Sequence, residues 1–481
     1  MSVETIENES PARAAEDGGR MKAGLKLVSQ ALRGTGGDLN HLPLGHAILL
    51  LAVPMVLEMA MESVFAVVDI FFVSRLGAEA VAAVGVTESL LAIVYTVAMG
   101  LSIGVTATVA RRIGEGDPER AGVATGQSIL LGLGVAAVMG AVGVWQAPAL
   151  LRLMGADEAV VATGVGYTRI LLGGNGVVLL LFLLNAAFRG AGDAAIAMRV
   201  LWIGNGLNIV LDPLLIFGVG PFPELGVTGA ALATVLGRGV AVGIQLAVLF
   251  RFGDRLRVAL HHLRPEPALM ARLVRLSATG TFQVFVSTAS WIGLVRVIAG
   301  FGSEALAGYT VAIRIVLFAL LPAWGLANAA ATLVGQGLGA GRPERAERAV
   351  WMAGAMNLAF LGSVGLFFMA FAPWVVGLFG VDAVTEAYAV QGLRIISAGF
   401  FFYGYGMVLS QAFNGAGDAW TPTWLNVGCF WMLEIPLAWV LAYRAGWGPD
   451  GVFTAVTVAF SLSAVVAALL FRRGRWKVAV V

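Results

Sequence analysis

The chain has 481 residues, of which 59% are hydrophobic and only 12% charged, about half the charged share of an ordinary soluble domain. A soluble fold of that length cannot hide so much apolar surface, so most of the chain belongs in lipid, which excludes a cytosolic enzyme and a nucleic-acid binder. A single cysteine, Cys429, excludes a disulfide framework, no Lys follows a Gly as a Walker A loop would need, and the net charge of +2 says less than its distribution.

Residues 1–45 are polar and lack the shape of a cleavable signal; they read as a disordered tail ending in a short interfacial helix. Twelve apolar runs long enough to cross a bilayer follow, at about 46–74, 80–110, 121–146, 160–186, 195–217, 226–250, 272–300, 305–337, 346–372, 386–412, 420–444 and 451–471. These are spans one to twelve. An even number puts both termini on one side. On that side twenty-two Lys and Arg fall, from Arg13 through the Arg-rich 251–275 stretch to Lys477, against three (Arg75, Arg152, Arg444) on the other. The bias predicts cytoplasmic termini in a bacterial inner membrane. The expected division is a tail 1–45, an N-lobe 46–250, a cytoplasmic linker 251–271, a C-lobe 272–471 and a tail 472–481.

The second half repeats the first at an offset of 225 residues. FRGAGDA at 188–194 returns as FNGAGDA at 413–419, GEGDPERA at 114–121 as GAGRPERA at 339–346, and LGAEAVA at 76–82 as FGSEALA at 301–307. Matches held in one register over such a length are duplication. Six spans per half is even, so the halves point the same way and should be related by a pseudo-two-fold axis along the membrane normal. The expected fold is an all-α membrane protein of two six-helix lobes, V-shaped around a central cleft. That is the plan of a rocking transporter more than of a channel, and it is read as a monomer.

Ionisable groups inside spans are functional candidates by default. In span one, Pro54, Glu58, Glu62, Phe65 and Asp69 are spaced 4, 4, 3 and 4 and share one face, with Pro54 a possible hinge. Glu58 and Glu62 are cavity candidates or simply solvated in the cleft. In span five, Asn205, Asn208 and Asp212 share a face, and Asp212 lies at the depth of Asp69. Two carboxylates at one level beside amides suit an ion-coupling site for H⁺, or for Na⁺, with H⁺ preferred. Gln283 in span seven is a further cavity candidate. Arg314 and Glu434, at similar depth in the C-lobe, are expected to form a buried ion pair, structural or part of a substrate wall. The GAGD turns should end spans four and ten. No metal-ligand cluster stands inside the spans and no cofactor is called for.

VVDIFFVSRLGAEAVAAVGV at 67–86, Pro54 fifteen residues before Asp69, the paired GAGD turns and NIVLDPLLIFG at 208–218 resemble the multidrug and toxic compound extrusion (MATE) family over about 45–470. The resemblance is closer to its DinF-like than its NorM-like branch. It implies an antiporter that expels cationic or amphiphilic organic compounds from the cytoplasm in exchange for H⁺ or Na⁺, with Pro54, Asp69, Asn208 and Asp212 matching the DinF-like ion site. NorM-like members carry carboxylates in spans seven and ten. Here span seven offers Gln283 and the matching stretch of span ten has no acid, so the resemblance does not extend to that site. The alternative is a flippase for a lipid-linked cell-envelope precursor, which would need basic residues in its cavity to hold pyrophosphate. Partners are therefore small organic molecules and membrane lipid, with no nucleic acid.

Overall fold

The computed structural model describes residues 26–34, 39–253 and 255–479. Of the polar tail, 1–25 and 35–38 lie outside the described residues, while 26–33 form a short helix. The protein is all-helical. Ten helices are each long and apolar enough to cross a membrane, and two bent pairs bring the number of spans to twelve. In chain order, span one is Leu44–Val73, two Ala78–Gly114, three Pro118–Leu153, five Ala194–Ile216 and six Val227–Ala247. Span seven is Pro267–Ile298, eight Ser303–Gly339, nine Pro343–Gly377 and twelve Pro449–Arg472. Span eleven, 420–444, alternates α-helical and π-helical turns.

Spans four and ten are the bent pairs. Glu158–Gly173 meets Asn175–Ala191 at 40°, and Ala383–Ala398 meets Phe400–Ala416 at 59°. The breaks fall at Gly174 and Gly399, equivalent positions of the repeat. Both spans start on a carboxylate cap, Asp157 accepting from Val160 N and Asp382 from Val384 N and Thr385 N. Both end in the GAGD turn, whose Gly192 (φ 87°) and Gly417 (φ 89°) take the left-handed conformation that stops a helix.

The lobes touch through glycines, and the contacts obey the pseudo-two-fold. A Cβ on Gly100 of span two would lie 2.5 Å from Thr281 Cα of span seven. Its repeat partner Gly325 of span eight would place one 2.7 Å from Val56 N of span one, where Val56 is the repeat partner of Thr281. Gly114 packs on Gln336 in the same way, and its partner Gly339 packs on Arg111, the partner of Gln336. Only glycine permits backbones to come this close. All four contacts lie in the halves of the spans nearest the basic loops.

Two terminal segments are fastened at the same end. Arg345 donates to the carbonyls of Leu39 and Leu42, and Leu39 is fully buried. Lys477 pairs with Glu347 of span nine at 2.6 Å, while Arg111 of span two donates to Ala479 O at 2.6 Å, so residues 475–479 bridge the lobes. Toward the opposite end the apolar side chains of spans one and seven, such as Val67, Ile70, Phe71, Phe285 and Ile292, are bare. Each lobe keeps its own apolar core there. The molecule is thus closed at its basic end and open at the other.

Candidate functional site

The polar face of span one meets spans four, five and six, and the structure sorts its three acids into different environments. Glu58 does not line a cavity. It is buried, pairs with Arg189 at 2.8 Å and accepts from Asn185 Nδ2 at 3.0 Å, and Asn185 in turn accepts from Gln245. The reason is that span four remains helical to Ala191, so Arg189 belongs to its last turn and reaches back to Glu58.

Glu62 lies one turn further and receives Arg238 of span six at 2.9 Å. The guanidinium is only 4% exposed, donates also to the Tyr95 hydroxyl at 3.0 Å, and sits 5.2 Å above the Phe65 ring. It can cross to span one because spans five and six touch at glycine: a Cβ on Gly237 would strike the Gly204 carbonyl at 2.6 Å. Asn205 donates to Glu62 Oε2 at 3.1 Å, so it serves Glu62 and not Asp212 as the sequence spacing suggested.

Asp212 is fully buried, and the span five helix continues through Pro213 to Ile216. Asn208 Nδ2 is shared between Asp212 Oδ1 at 3.5 Å and Thr234 Oγ1 at 3.3 Å. Asp69 and Asp212 are near enough for their charges to act on each other. Each keeps one buried oxygen without a hydrogen-bond partner, Asp69 Oδ1 and Asp212 Oδ2, and so does Asn208 Oδ1. Buried polar atoms are rarely left unsatisfied, and three together mark a place where a cation or proton fits. The helix of span one runs unbroken through Pro54, which faces Gly325 through the adjoining Met55 and Val56.

Asp69 and Thr234 border a cavity of about 370 Å³ inside the N-lobe, lined also by Glu62, Phe65, Glu88, Tyr95, Tyr167 and Arg238 among others. Three carboxylates face one arginine, and that arginine is already engaged. Sequence reasoning missed Arg238 and Glu88, although the rule that flags ionisable groups within spans applies equally to both. Tyr95 and Tyr167 gave no signal, because an aromatic in an apolar run reads as core.

The C-lobe differs from expectation. Gln283 is buried on span seven, away from this cavity, with its main-chain oxygen accepting from Asn426 at 3.4 Å. Arg314 and Glu434 form no ion pair: Arg314 is exposed, whereas Glu434 is buried with Oε1 unpartnered. Equal depth had suggested the pair, but the two side chains leave their helices on different faces.

At the basic end, Glu119 Oε1 is held by His261 at 2.9 Å and His262 at 2.7 Å. Together they are the donor set among the described residues that could hold a metal ion. Ala259 N–H donates to His262 Nδ1, so in the neutral ring Nε2 carries the proton and donates to Glu119. That is a hydrogen-bonded clasp of residues 259–266 onto span three, reinforced by Gln127, which bonds His262 O and Glu266 N.

The family model described as MatE matches residues 54–214 and 281–440, once in each lobe. The chain belongs to the MATE family. It is 26% identical over 428 residues, 89% of this chain and 92% of the relative, to the Thermotoga maritima protein named "Probable multidrug resistance protein NorM". It is also 26% identical, over 84% of this chain and 89% of the relative, to a Shewanella oneidensis protein named "FAD transporter". A solved structure described as the outward-facing conformation of a multidrug resistance MATE family transporter superposes with a TM-score of 0.85 at 28% identity, covering 92% of this chain and 98% of that one. This MATE chain is accordingly a multi-pass membrane transporter of the efflux type, not an enzyme.

Proposed function

We propose that the protein is a proton-coupled antiporter that exports cationic or amphiphilic organic compounds from the cytoplasm, in the manner of the DinF-like branch. The observation that carries this reading is the N-lobe cavity, where Glu62, Asp69 and Glu88 outnumber Arg238 and Phe65, Tyr95 and Tyr167 supply aromatic wall. Such a lining favours an organic cation through charge and ring contact. An anion such as a dinucleotide or a lipid pyrophosphate would need free basic groups, and the one arginine is bound to Glu62 and Tyr95.

The coupling site is Asp69 and Asp212 with Asn208, and Asn205 acts through Glu62. Asp69 belongs both to the cavity wall and to the pair with Asp212. A proton arriving there removes the charge that holds the drug. Ion and drug then oppose each other at one carboxylate, as antiport requires. H⁺ is preferred to Na⁺ because, beyond the two carboxylates, the side-chain oxygens nearby among the described residues are Asn208 Oδ1 and Thr234 Oγ1, and the latter already accepts from Asn208. Span one, with Pro54 inside it, is the element that yields when the charge is lost. With the basic loops in the cytoplasm, the conformation described here opens outward, ready to release drug and take up ions, and the transport unit is a single chain.

The test is uptake of ethidium into proteoliposomes under an imposed H⁺ gradient or an imposed Na⁺ gradient. Uptake driven by H⁺ alone is expected. Uptake driven only by Na⁺ would keep the site and change the ion, and no uptake with either, across a panel of cations, would reject the substrate class.

A further inference from the structure

The acid that lost its expected partner is the unexplained charge of the C-lobe. Glu434 is 1% exposed, ends the π-helical stretch Val427–Glu434 of span eleven, and keeps Oε1 without a hydrogen-bond partner. No cation lies within ion-pair distance of it among the described residues. Spans seven and twelve and the flanking turns of span eleven pack on this stretch. Span twelve carries no charged residue between Asp450 and Arg472. Arg296 of span seven, Arg314 of span eight and Arg394 of span ten are all exposed.

Glu434 acts electrostatically on Tyr309 of span eight, Tyr403 of span ten and Cys429 one turn back. The Tyr309 and Tyr403 hydroxyls are themselves buried without partners. Aromatic rings close the surroundings: Tyr309 stacks on Phe453 at 6.2 Å, Tyr403 packs on Phe460 at 5.0 Å, and Phe430 on Phe460 at 4.6 Å. An ionised carboxylate in such a place is very costly, and a neutral one is not.

The location is not arbitrary. The residues 225 positions before Tyr309, Tyr403 and Glu434 are Val84, Val178 and Ile209. Val84 and Val178 line the N-lobe cavity, and Ile209 adjoins Asn208 and lies one turn before Asp212. The C-lobe therefore holds its buried acid on span eleven, the repeat of span five, beside the position that corresponds to Asn208. π-Helical turns of this kind recur at functional sites.

We propose that Glu434 is a second proton-binding site, housed in the C-lobe and exchanging its proton as the lobes rearrange. One unpartnered carboxylate oxygen is enough for a proton and too little for a dehydrated metal cation. The proposal stands apart from the assignment of Asp69 and Asp212, although together the two give one proton site per lobe.

The experiment is pH-difference infrared spectroscopy of the purified full chain in lipid, reading the carbonyl stretch of protonated carboxyls. We expect a band that disappears as pH rises, is lost in Glu434→Gln, shifts in Glu434→Asp, and persists in Asp69→Asn and Asp212→Asn. An identical pH-difference spectrum in Glu434→Gln would overturn the proposal. So would a band that vanishes on adding Na⁺ at constant pH. If Glu434→Gln elutes as aggregate, the frequency shift in Glu434→Asp decides alone, and its absence overturns the proposal. Bands lost only in Asp69→Asn and Asp212→Asn would uphold the N-lobe assignment and reject this one; the reverse pattern would do the opposite.

Discussion

Substituting alanine at Gly100 tests whether the basic end is held shut by backbone contact between the lobes. The new Cβ would sit 2.5 Å from Thr281 Cα, against an ordinary carbon contact of roughly 3.5 Å. Span two or span seven must therefore retreat by about 1 Å, because the backbone N and Cα of Thr281 obstruct the new Cβ as well as its hydroxyl. Overpacking of that kind costs about 1–3 kcal/mol, charged only to the conformation in which the lobes touch here. If the closed and open arrangements are comparably populated, that cost shifts their ratio by about 5- to 150-fold. The assay is a spin-label distance between Glu115→Cys and Glu344→Cys, both exposed at the basic end, in a Cys429→Ser background. Gly100→Ala should add a longer distance, as should its repeat partner Gly325→Ala. Gly134→Ala, which would meet nothing within 4 Å, should not. Unchanged distances in Gly100→Ala with unchanged thermal stability would refute the reasoning.

Neutralising Glu58 or Arg189 alone should lower stability by about 3–5 kcal/mol, seen as a drop in melting temperature in detergent, because each strands a buried charge; the double change should recover part of it. Glu62→Gln should weaken tetraphenylphosphonium binding by about tenfold, or ~1.4 kcal/mol, measured calorimetrically, since it removes one cavity carboxylate. Reporter fusions after His262 and after Trp447 should give opposite sidedness, with His262 cytoplasmic; equal sidedness would break the twelve-span topology.

Much of the fold is legible in the sequence because membrane energetics writes it in long apolar runs and because duplication writes it twice. The same offset that aligns the GAGD turns pairs Gly100 with Gly325 and Thr281 with Val56 across the lobe contact, though no sequence rule says which glycines meet. Helical spacing grouped Pro54, Glu58, Glu62 and Asp69 on one face, yet it could not show that Glu58 would meet Arg189 or that Asn205 would turn to Glu62. Those outcomes depend on which helix stands opposite, information that lies between distant segments. Depth and polar faces pointed to Asp69 and Asp212, and the charge of the first reaches the second. Depth misled for Arg314 and Glu434, where direction around the helix decided the matter. Arg238 was legible in principle, a lone charge between two glycines in an apolar span, and was overlooked.

Proton-driven export through Asp69 and Asp212 is tested most directly by ethidium transport in proteoliposomes carrying Asp69→Asn or Asp212→Asn, under an imposed H⁺ gradient. Elution as a single folded species in size exclusion comes first. Both variants are expected to lose gradient-driven transport completely while the wild type transports. Full coupled transport in either variant would contradict the assignment.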